Sequence, residues 1–380
     1  MRIDAHVHLW QLARGDYGWL TPDSGPLFRD YDLSDLESLL VANGIDGAIL
    51  VQAAPTEAET EFLLALAQRS ERIRGVVGWV DLDATDVAAR IAKLADHPKA
   101  VGIRPMLQDI AERHWVLSPT RAAGLEACAA AGLVFDALVR PDQLEDIAVL
   151  AGREPLLTIV IDHAAKPPIA QDGFAQWAAA IERAAALPNI ACKLSGLLTE
   201  APRGADEDTL APYVAHLFAC FRPDRIIWGS DWPVLTLCAD YPRWNDLSER
   251  LIGHLGSAAR GDILGGNAAR VYRLDDRLTP AAPSAIQLHP EDNVVVCCRA
   301  IEAGRRISVA GYDLIAGEAV ELGHKLAVRA LDAGEKVIKY GAPIGSMTAA
   351  VPAGGWVHMH NMKSDYISVH TRTASGGGVA

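Results

Sequence analysis

The sequence has no run of Lys and Arg, no C-x-x-C pair and no apolar stretch long enough to cross a membrane. Of its 380 residues, 35 are basic and 48 are acidic, which gives a formal net charge of -13. Without a basic run, a nucleic-acid partner is not expected. A membrane-spanning segment would need roughly 20 consecutive apolar residues, so we expect none. The opening lacks a basic segment followed by an apolar one, so we expect no secretory signal. None of the six cysteines belongs to a C-x-x-C motif, so we expect reduced thiols and a cytoplasmic protein.

The first ten residues, MRIDAHVHLW, contain two histidines two positions apart. Residues 3–9 predict a short buried strand. Because side chains alternate along a strand, Asp4, His6 and His8 are expected on one face, with successive Cα atoms of that set roughly 6.6 Å apart. Two imidazoles at that separation suit one metal ion or one substrate oxygen. The alternative is that they only fill a polar interior.

Apolar runs and alanine-rich helical segments alternate through residues 1–275. Further strands are predicted at 47–53, 74–81, 100–106, 133–139, 156–163, 189–195 and 225–230. Near-continuous apolar strands indicate a parallel sheet that is covered on both faces. Eight strand–helix units therefore predict an α/β fold of the (β/α)₈ TIM-barrel type. The alternative is a doubly wound open sheet, but the first strand is not followed by its usual Gly-rich turn.

In such a barrel the active site lies at the carboxyl ends of the strands. Polar side chains follow or end most of the predicted strands. They are His6 and His8, Gln52, Arg104, Asp136 and Arg140, Asp162, His163 and Lys166, Lys193 and Ser195, and Ser230, Asp231 and Trp232. Each buried charge needs a partner, so a purely structural barrel has little reason to collect charges there. The pattern predicts a functional site at this end.

Four motifs carry a family resemblance: DAHVHLW at the start, DHAAKP on the sixth strand, WGSDWPV on the eighth, and GNAARVYRL at 266–274. Together they resemble the amidohydrolase superfamily, and within it the fuconolactonase-like sugar lactonases, over roughly residues 1–275. The resemblance implies a barrel of the metal-dependent-hydrolase type, with His6, His8, His163 and Asp231 as catalytic residues and metal ligands. The fourth strand has no bridging lysine and the fifth no histidine. This argues against a binuclear centre and leaves one divalent, zinc-like ion or a metal-independent site.

The resemblance implies hydrolysis of a sugar-acid lactone, an aldonolactone, to the aldonate. Asp231 is expected to deprotonate the attacking water, while the imidazoles assist the carbonyl directly or through a metal ion. The expected substrate-binding residues are Arg104, Lys166, Lys193, Gln52, Trp10 and Trp232. Alternatives remain for three of them: Trp10 and Trp232 would only pack, and Lys193 would pair with a buried carboxylate. Asp231 could instead cap the segment after it.

Residues 276–285 are polar with two prolines and predict a linker. Residues 286–380 alternate short β-type runs with Gly turns, which predicts a small, mostly β domain. HPEDNV, GHKLAVRAL, GEKVIKYGAPIG and VHMHN resemble the SAF-like, β-clip-like domain of the altronate/galactarate dehydratase family. The matching polar residues are His289, Asn293, His324, Lys325, Lys339, His358, His360 and Asn361. They are either functional or ordinary surface residues of a small β domain.

The two resemblances agree chemically, because an aldonate formed by a lactonase is the substrate type of a sugar-acid dehydratase. We therefore expect a lactonase whose second domain serves as the accessory subunit of a separately encoded dehydratase large subunit, with an associated hydro-lyase activity. The rivals are a decarboxylase or amide hydrolase on the same barrel, and a scaffold for the dehydratase without lactonase activity.

Overall fold

A computed structural model describes residues 1–171, 173–274 and 284–365. These residues form two compact units, and the division between them falls in the undescribed stretch 275–283. Most of the linker predicted at 276–285 thus lies outside the described residues, and the first strand of the second unit already begins at Ala285. Within the described ranges, every helix is too short or too polar to cross a bilayer.

The first unit is built on eight parallel strands that pair in chain order. Their bounds are Ile3–Val7 (β1), Gly47–Val51 (β2), Ile73–Gly78 (β3), Ala100–Ile103 (β4), Val134–Ala137 (β5), Ile159–Ile161 (β6), Ile190–Leu194 (β7) and Ile226–Trp228 (β8). The predicted TIM barrel is confirmed, and the alternative of a doubly wound sheet is wrong. Several strands end earlier than predicted, because the polar residues that follow them turn away into loops.

Helices cover the outside of this barrel. Their bounds are Leu33–Ala42 (α1), Glu57–Gln68 (α2), Val87–Ala95 (α3), Ala122–Ala131 (α4), Leu144–Arg153 (α5), Phe174–Ala185 (α6), Leu197–Glu200 (α7), Glu207–Phe221 (α8), Tyr241–Leu251 (α9), Ser257–Gly261 (α10) and Asn267–Val271 (α11). Carboxylates of Asp32, Asp206 and Asp240 accept backbone N–H groups at the starts of α1, α8 and α9. Such caps stabilise a helix by about 1 kcal/mol each.

The barrel closes between its first and last strands. The backbone N–H of Asp231 donates to the carbonyl of His6 at 2.9 Å, and that of His8 donates to the carbonyl of Trp232 at 2.8 Å. The residues just past β8 therefore complete the ladder beside β1. This closure joins two distant parts of the chain at the carboxyl ends of the strands, where the polar residues gather.

Strand β1 contains a β-bulge between Asp4 and Val7. An Oδ1 atom of Asp4 accepts the backbone N–H groups of His6 at 3.1 Å and Ser230 at 2.8 Å, and its Oδ2 accepts the hydroxyl of Tyr241 at 2.8 Å. One extra residue in a strand shifts every later side chain to the other face. The prediction that Asp4 shares a face with His6 and His8 is therefore wrong, and Asp4 supports the bulge instead.

Two apolar layers stabilise this unit. One layer lies between strands and helices and is the larger. The other fills the barrel interior with residues from all eight strands and is continued by Ala268, Tyr272 and Leu274 from the end of the unit. The apolar interior leaves room for polar side chains only above it, at the carboxyl ends.

The second unit consists of short antiparallel strands, which agrees with the predicted small, mostly β domain; residues 366–380 of that prediction lie outside the described residues. Their bounds are Ala285–Ile286 (β9), Val294–Cys297 (β10), Arg306–Val309 (β11), Tyr312–Ile315 (β12), Lys325–Ala327 (β13), Lys336–Lys339 (β14), Ala342–Met347 (β15), Trp356–Val357 (β16) and Met362–Lys363 (β17). They form sheets in the orders β16-β13-β10-β9, β11-β12 and β14-β15-β17. Two small apolar clusters form its core.

Candidate active site

The carboxylate of Asp231 lies among three imidazoles. Its Oδ1 atom is 3.3 Å from Nε2 of His8, 3.8 Å from Nε2 of His6 and 3.9 Å from Nε2 of His163. All four residues are at most 5% exposed. Residues predicted from three separate strands thus meet at one point, although more than two hundred positions separate the first from the last.

His163 reaches this point through an unusual backbone. His163, Ala164, Ala165 and Lys166 all have φ between 51° and 57°, and none is glycine. A left-handed conformation costs roughly 1–2 kcal/mol per non-glycine residue, and such strain is concentrated at functional sites. The turn is secured by Trp177, whose indole N–H donates to the carbonyl of Ala164 at 2.7 Å.

Gly196 allows the neighbouring strand end to approach His163 closely. Its φ is +63°, and a Cβ atom there would lie 2.5 Å from Nδ1 of His163. Gly229 has the same role beside His6, because its Cβ would lie 2.8 Å from Cβ of His6. Larger residues at either position would displace an imidazole from the site.

Partners behind the imidazoles set their orientation. Nδ1 of His8 lies 2.7 Å from the carbonyl oxygen of Val51, which can only accept, so this Nδ1 carries a proton, and Nε2 of the same ring faces Asp231. Nδ1 of His163 bonds the hydroxyl of Ser195 at 3.0 Å. Partners of this kind fix the tautomer and ring position of histidines that act as metal ligands.

His6 rests on a fully buried charge network. Its Nδ1 lies 3.4 Å from Oδ1 of Asp162 and 3.1 Å from Nζ of Lys193. Lys193 also lies 2.5 Å from Oδ2 of Asp136 and 3.0 Å from Oδ1 of Asp162. The hydroxyl of Tyr272 donates to both oxygens of Asp136 at 2.9 and 3.0 Å. The network links the end of the barrel unit to the floor of the site.

The surroundings of Asp231 favour its ionised form. Burial would raise the pKa of this carboxyl group, but the interactions with His163, His8 and His6 outweigh burial and hold the pKa below its usual range. Burial lowers the pKa of His163 to about 4, against the opposing effect of Asp231. Burial and then the Lys193 ammonium lower the pKa of His6 well below its usual value. At neutral pH the site therefore combines the carboxylate of Asp231 with the neutral imidazoles of His6 and His163.

A cavity of about 920 Å³ opens over this cluster. His8, His163, Asp231, Arg104 and Lys166 all line it. The guanidinium of Arg104 lies 3.3 Å from both Nε2 of His6 and Oδ2 of Asp162, and it also donates to the carbonyl of Gln52. Its buried Nε has no hydrogen-bond partner among the described residues. The volume is ample for a sugar lactone, since ligand pockets commonly measure about 300–1,000 Å³.

The aromatic walls of the cavity differ from the prediction. Trp19, Trp79 and Trp115 line it. Trp79 directly follows β3, so it could have been predicted from its position at a strand end. Trp19 and Trp115 lie in long loops, and no local pattern in the sequence marks them.

Four residues predicted to bind substrate lie elsewhere. Trp10 is fully buried and donates its indole N–H to the carbonyl of Arg29 at 2.8 Å, and Trp232 packs edge-on against Tyr31. Gln52 is fully buried and donates its side-chain amide to the carbonyl of Arg104 at 2.5 Å. Lys193 is enclosed by its carboxylate partners, as the alternative reading of it proposed. None of these four residues lines the cavity, so we assign them to packing and support of the site instead of substrate binding.

The predicted residues of the second unit come together in part. The rings of His324, His358 and His360 surround Trp356, and Lys325 lies on the adjoining strand. In the described part of the unit, His289 makes no ring contact with them; its Nδ1 accepts the backbone N–H of Glu291 at 3.2 Å. A role for this set stays a prediction.

The donor atoms at the barrel site suit a divalent metal ion. One nitrogen from each of His6 and His163 and one oxygen of Asp231 all lie within 4.8 Å of one another, and all three residues are buried. Two imidazoles and a carboxylate are a ligand set typical of catalytic zinc, which keeps one position open. Fold and site together define a TIM-barrel protein with a buried site suited to one metal ion.

The chain belongs to the amidohydrolase family: the model of that family matches residues 3–274. Residues 283–365 match the altronate/galactarate dehydratase SAF domain. Both predicted resemblances are thereby confirmed.

Three relatives illustrate these matches. The L-fucono-1,5-lactonase of Burkholderia ambifaria is 45% identical over 278 residues, which are 72% of this chain and 96% of that protein. A crystal structure of an amidohydrolase from Burkholderia multivorans with bound zinc has 39% identity and a TM-score of 0.69, covering 72% of this chain and 99% of that one. The altronate dehydratase of Bacillus subtilis is 32% identical over 82 residues, which are 22% of this chain and 16% of that enzyme.

Proposed function

We propose that the barrel hydrolyses the lactone of a sugar acid to the open-chain aldonate. The observation that carries the proposal is the carboxylate of Asp231, which lies 3.3–3.9 Å from three imidazoles and lines a large cavity. The L-fucono-1,5-lactonase that is 45% identical over most of the barrel supports an aldonolactone as the substrate class. Opening a lactone needs only a base for water and electrophilic help for the carbonyl, and both are available here.

In this mechanism Asp231 takes a proton from the water that attacks the lactone carbonyl. The same carboxyl group, now protonated, can return the proton to the ring oxygen as the ester bond breaks, so the proton count balances. Arg104 and Lys166 line the cavity and are the candidates to hold the hydroxyl groups or the carbonyl of the substrate. The unpartnered Nε of Arg104 is a donor that a substrate oxygen would satisfy.

His6, His163 and Asp231 are the residues that would hold a zinc ion, with His8 beside them. When bound, such an ion would polarise the carbonyl and lower the pKa of a water molecule. The bound zinc in the related amidohydrolase structure supports this assignment.

The test is the hydrolysis of L-fucono-1,5-lactone by the purified chain, compared with the variant Asp231→Asn. We expect kcat to fall by at least 10³-fold, because the amide cannot accept the proton that the reaction releases. The control is Asp240→Asn, which removes a helix-capping carboxylate outside the site. Unchanged hydrolysis in Asp231→Asn would exclude the proposed base. Release of CO₂ from a carboxylated substrate would instead favour the decarboxylase alternative.

We further propose that the second unit serves as the accessory part of a dehydratase whose large subunit is a separate chain. The match to altronate dehydratase supports this, because it covers only 16% of that enzyme. The purified chain alone should not dehydrate an aldonate. Measurable dehydration by the chain alone would refute the accessory role and assign a complete hydro-lyase to it.

A further inference from the structure

A second cavity of the barrel unit adjoins the one over Asp231. Its volume is about 480 Å³, and Trp19 and Val234 line both cavities. Val234 lies three residues after Asp231, so the second cavity is next to the segment that carries the candidate catalytic carboxylate. We call it the side cavity and define it by six of the residues that line it: Trp19, Asp23, Leu27, Arg203, Val234 and Leu237.

The side cavity is formed by segments that follow three barrel strands. Residues 19–27 follow β1, Arg203 follows β7, and residues 234–237 follow β8. The short helical turns Pro22–Leu27 and Val234–Leu237 also contact each other. Because the carboxyl ends of barrel strands meet at one end of the fold, the side cavity and the candidate active site lie at the same end.

The walls of the side cavity are fixed by specific contacts. The indole N–H of Trp19 donates to the carbonyl of Ala53 at 2.7 Å, and the ring of Trp19 meets that of Trp10 edge-on at 5.4 Å. The hydroxyl of Tyr31 donates to the carbonyl of Pro26 at 2.7 Å. The side cavity is therefore preformed, as binding sites for small molecules usually are.

The lining of the side cavity combines apolar and charged groups. Trp19 and Leu237 are large apolar residues, yet they are 40% and 44% exposed. Exposed apolar surface with a polar rim marks binding sites. Asp23 and Arg203 are exposed and line the same cavity, where they offer a hydrogen-bond acceptor and several donors. An aromatic face beside such groups suits a ligand with both C–H faces and hydroxyl groups, as a sugar ring has.

The two cavities provide more space than the lactone of one sugar acid requires. The cavity over Asp231 alone measures about 920 Å³. This value is near the upper end of the range of about 300–1,000 Å³ that is common for sites of drug-sized ligands. A lactone of one sugar acid is smaller than such ligands, so it would leave the side cavity empty. A second ring attached to the lactone could extend past Trp19 into that space.

We propose that the side cavity is a subsite for a glycosyl group attached to a hydroxyl of the substrate, so that the barrel hydrolyses lactones of glycosylated sugar acids. This inference rests on the lactone hydrolysis proposed for the barrel. The glycosyl ring would lie against the indole of Trp19 and the side chain of Leu237, with Asp23 and Arg203 bonding its hydroxyl groups. Water adds to the lactone carbonyl and the ring ester bond breaks as before, while the glycosidic bond stays intact.

The test compares L-fucono-1,5-lactone with its three O-glucosyl derivatives, substituted at O2, O3 or O4, as substrates of the purified chain. The three cyclohexylmethyl ethers at the same positions serve as apolar comparison substrates of similar width. We expect kcat/KM for at least one glucosyl derivative to equal or exceed that for the unsubstituted lactone, and to exceed that for the matching ether. The physical reason is that the glucosyl group adds contacts in the side cavity and leaves the reacting carbonyl unchanged.

Two variants separate the side cavity from the cavity over Asp231, because neither residue lines the latter. Leu237→Ala and Arg203→Gln should each lower kcat/KM for the preferred glucosyl derivative by about fivefold or more, the effect of losing one apolar contact or one hydrogen bond. Both variants should hydrolyse the unsubstituted lactone as the parent chain does. The control is Leu156→Ala, which changes an 86% exposed leucine outside both cavities and should alter neither activity. Circular dichroism checks that each variant is folded.

The subsite is overturned if the chain hydrolyses L-fucono-1,5-lactone and none of its glucosyl derivatives, a result that would leave the function proposed for the barrel intact. It is also overturned if both variants hydrolyse the preferred derivative as efficiently as the parent chain. Equal or faster hydrolysis of the matching ether would show that the side cavity recognises apolar bulk and not a glycosyl group. Absence of hydrolysis for all of these lactones would refute the barrel function and this subsite together.

Discussion

Replacing Lys193 with methionine should strongly destabilise the barrel. The side chain keeps its length and loses an ammonium that lies 2.5 Å from Asp136 and 3.0 Å from Asp162. Lysine and both carboxylates are fully buried, so water cannot replace the missing charge. Removing one partner of a buried ion pair typically costs about 3–5 kcal/mol.

The size of this loss in stability depends on pH, because Asp136 can take up a proton. Burial, which outweighs the attraction of Lys193, raises the pKa of this carboxyl group to about 6. Because the pKa of Asp136 is higher in the folded chain than in the unfolded chain, protonation of Asp136 stabilises the fold. This stabilisation is lost as pH rises through about 6. Without Lys193 the pKa of Asp136 rises further, and each additional pKa unit corresponds to about 1.4 kcal/mol. We therefore expect a loss of about 3 kcal/mol at pH 6 that grows toward about 5 kcal/mol at pH 8.

The assay is urea unfolding followed by tryptophan fluorescence at both pH values. Eight of the nine tryptophans precede residue 275 and only Trp356 follows it, so the signal reports mainly on the barrel. The matched control is Lys93→Met on α3, where lysine and Glu61 are 82% and 71% exposed; it should change stability by less than about 0.5 kcal/mol. A loss below 1 kcal/mol for Lys193→Met, or a smaller loss at pH 8 than at pH 6, would refute this account of the network.

Three further changes test the site and its support. Gly196→Ala should reduce kcat of lactone hydrolysis at least tenfold, because its Cβ would displace His163; activity equal to the parent chain would contradict the close approach. Tyr272→Phe removes the hydroxyl donor of Asp136 and should cost about 1–2 kcal/mol in urea unfolding, whereas exposed Tyr340→Phe should cost nothing measurable. Chelation of divalent metal should abolish hydrolysis and zinc should restore it; full activity in protein shown by elemental analysis to be metal-free would refute the metal assignment.

The fold was largely predictable from residue order alone. Apolar strands with no polar face, separated by helices that begin with capping acids such as Asp32 and Asp206, allow few arrangements other than a closed parallel barrel. The catalytic candidates were predictable for the same reason. His163 and Asp231 lie two and three residues past the ends of β6 and β8, and strand ends converge in a barrel whatever the distance between them in the chain.

Tertiary structure decided which polar residues face the cavity. A bulge in β1 places Asp4 under Ser230 rather than beside His6, and strand alternation alone cannot predict a bulge. Lys193 was a candidate for substrate contact until packing enclosed it between two carboxylates. Burial and side-chain direction depend on neighbours that are distant in sequence. The residue types of this site are thus a property of the sequence, whereas the division between reacting and supporting side chains is a property of the folded barrel.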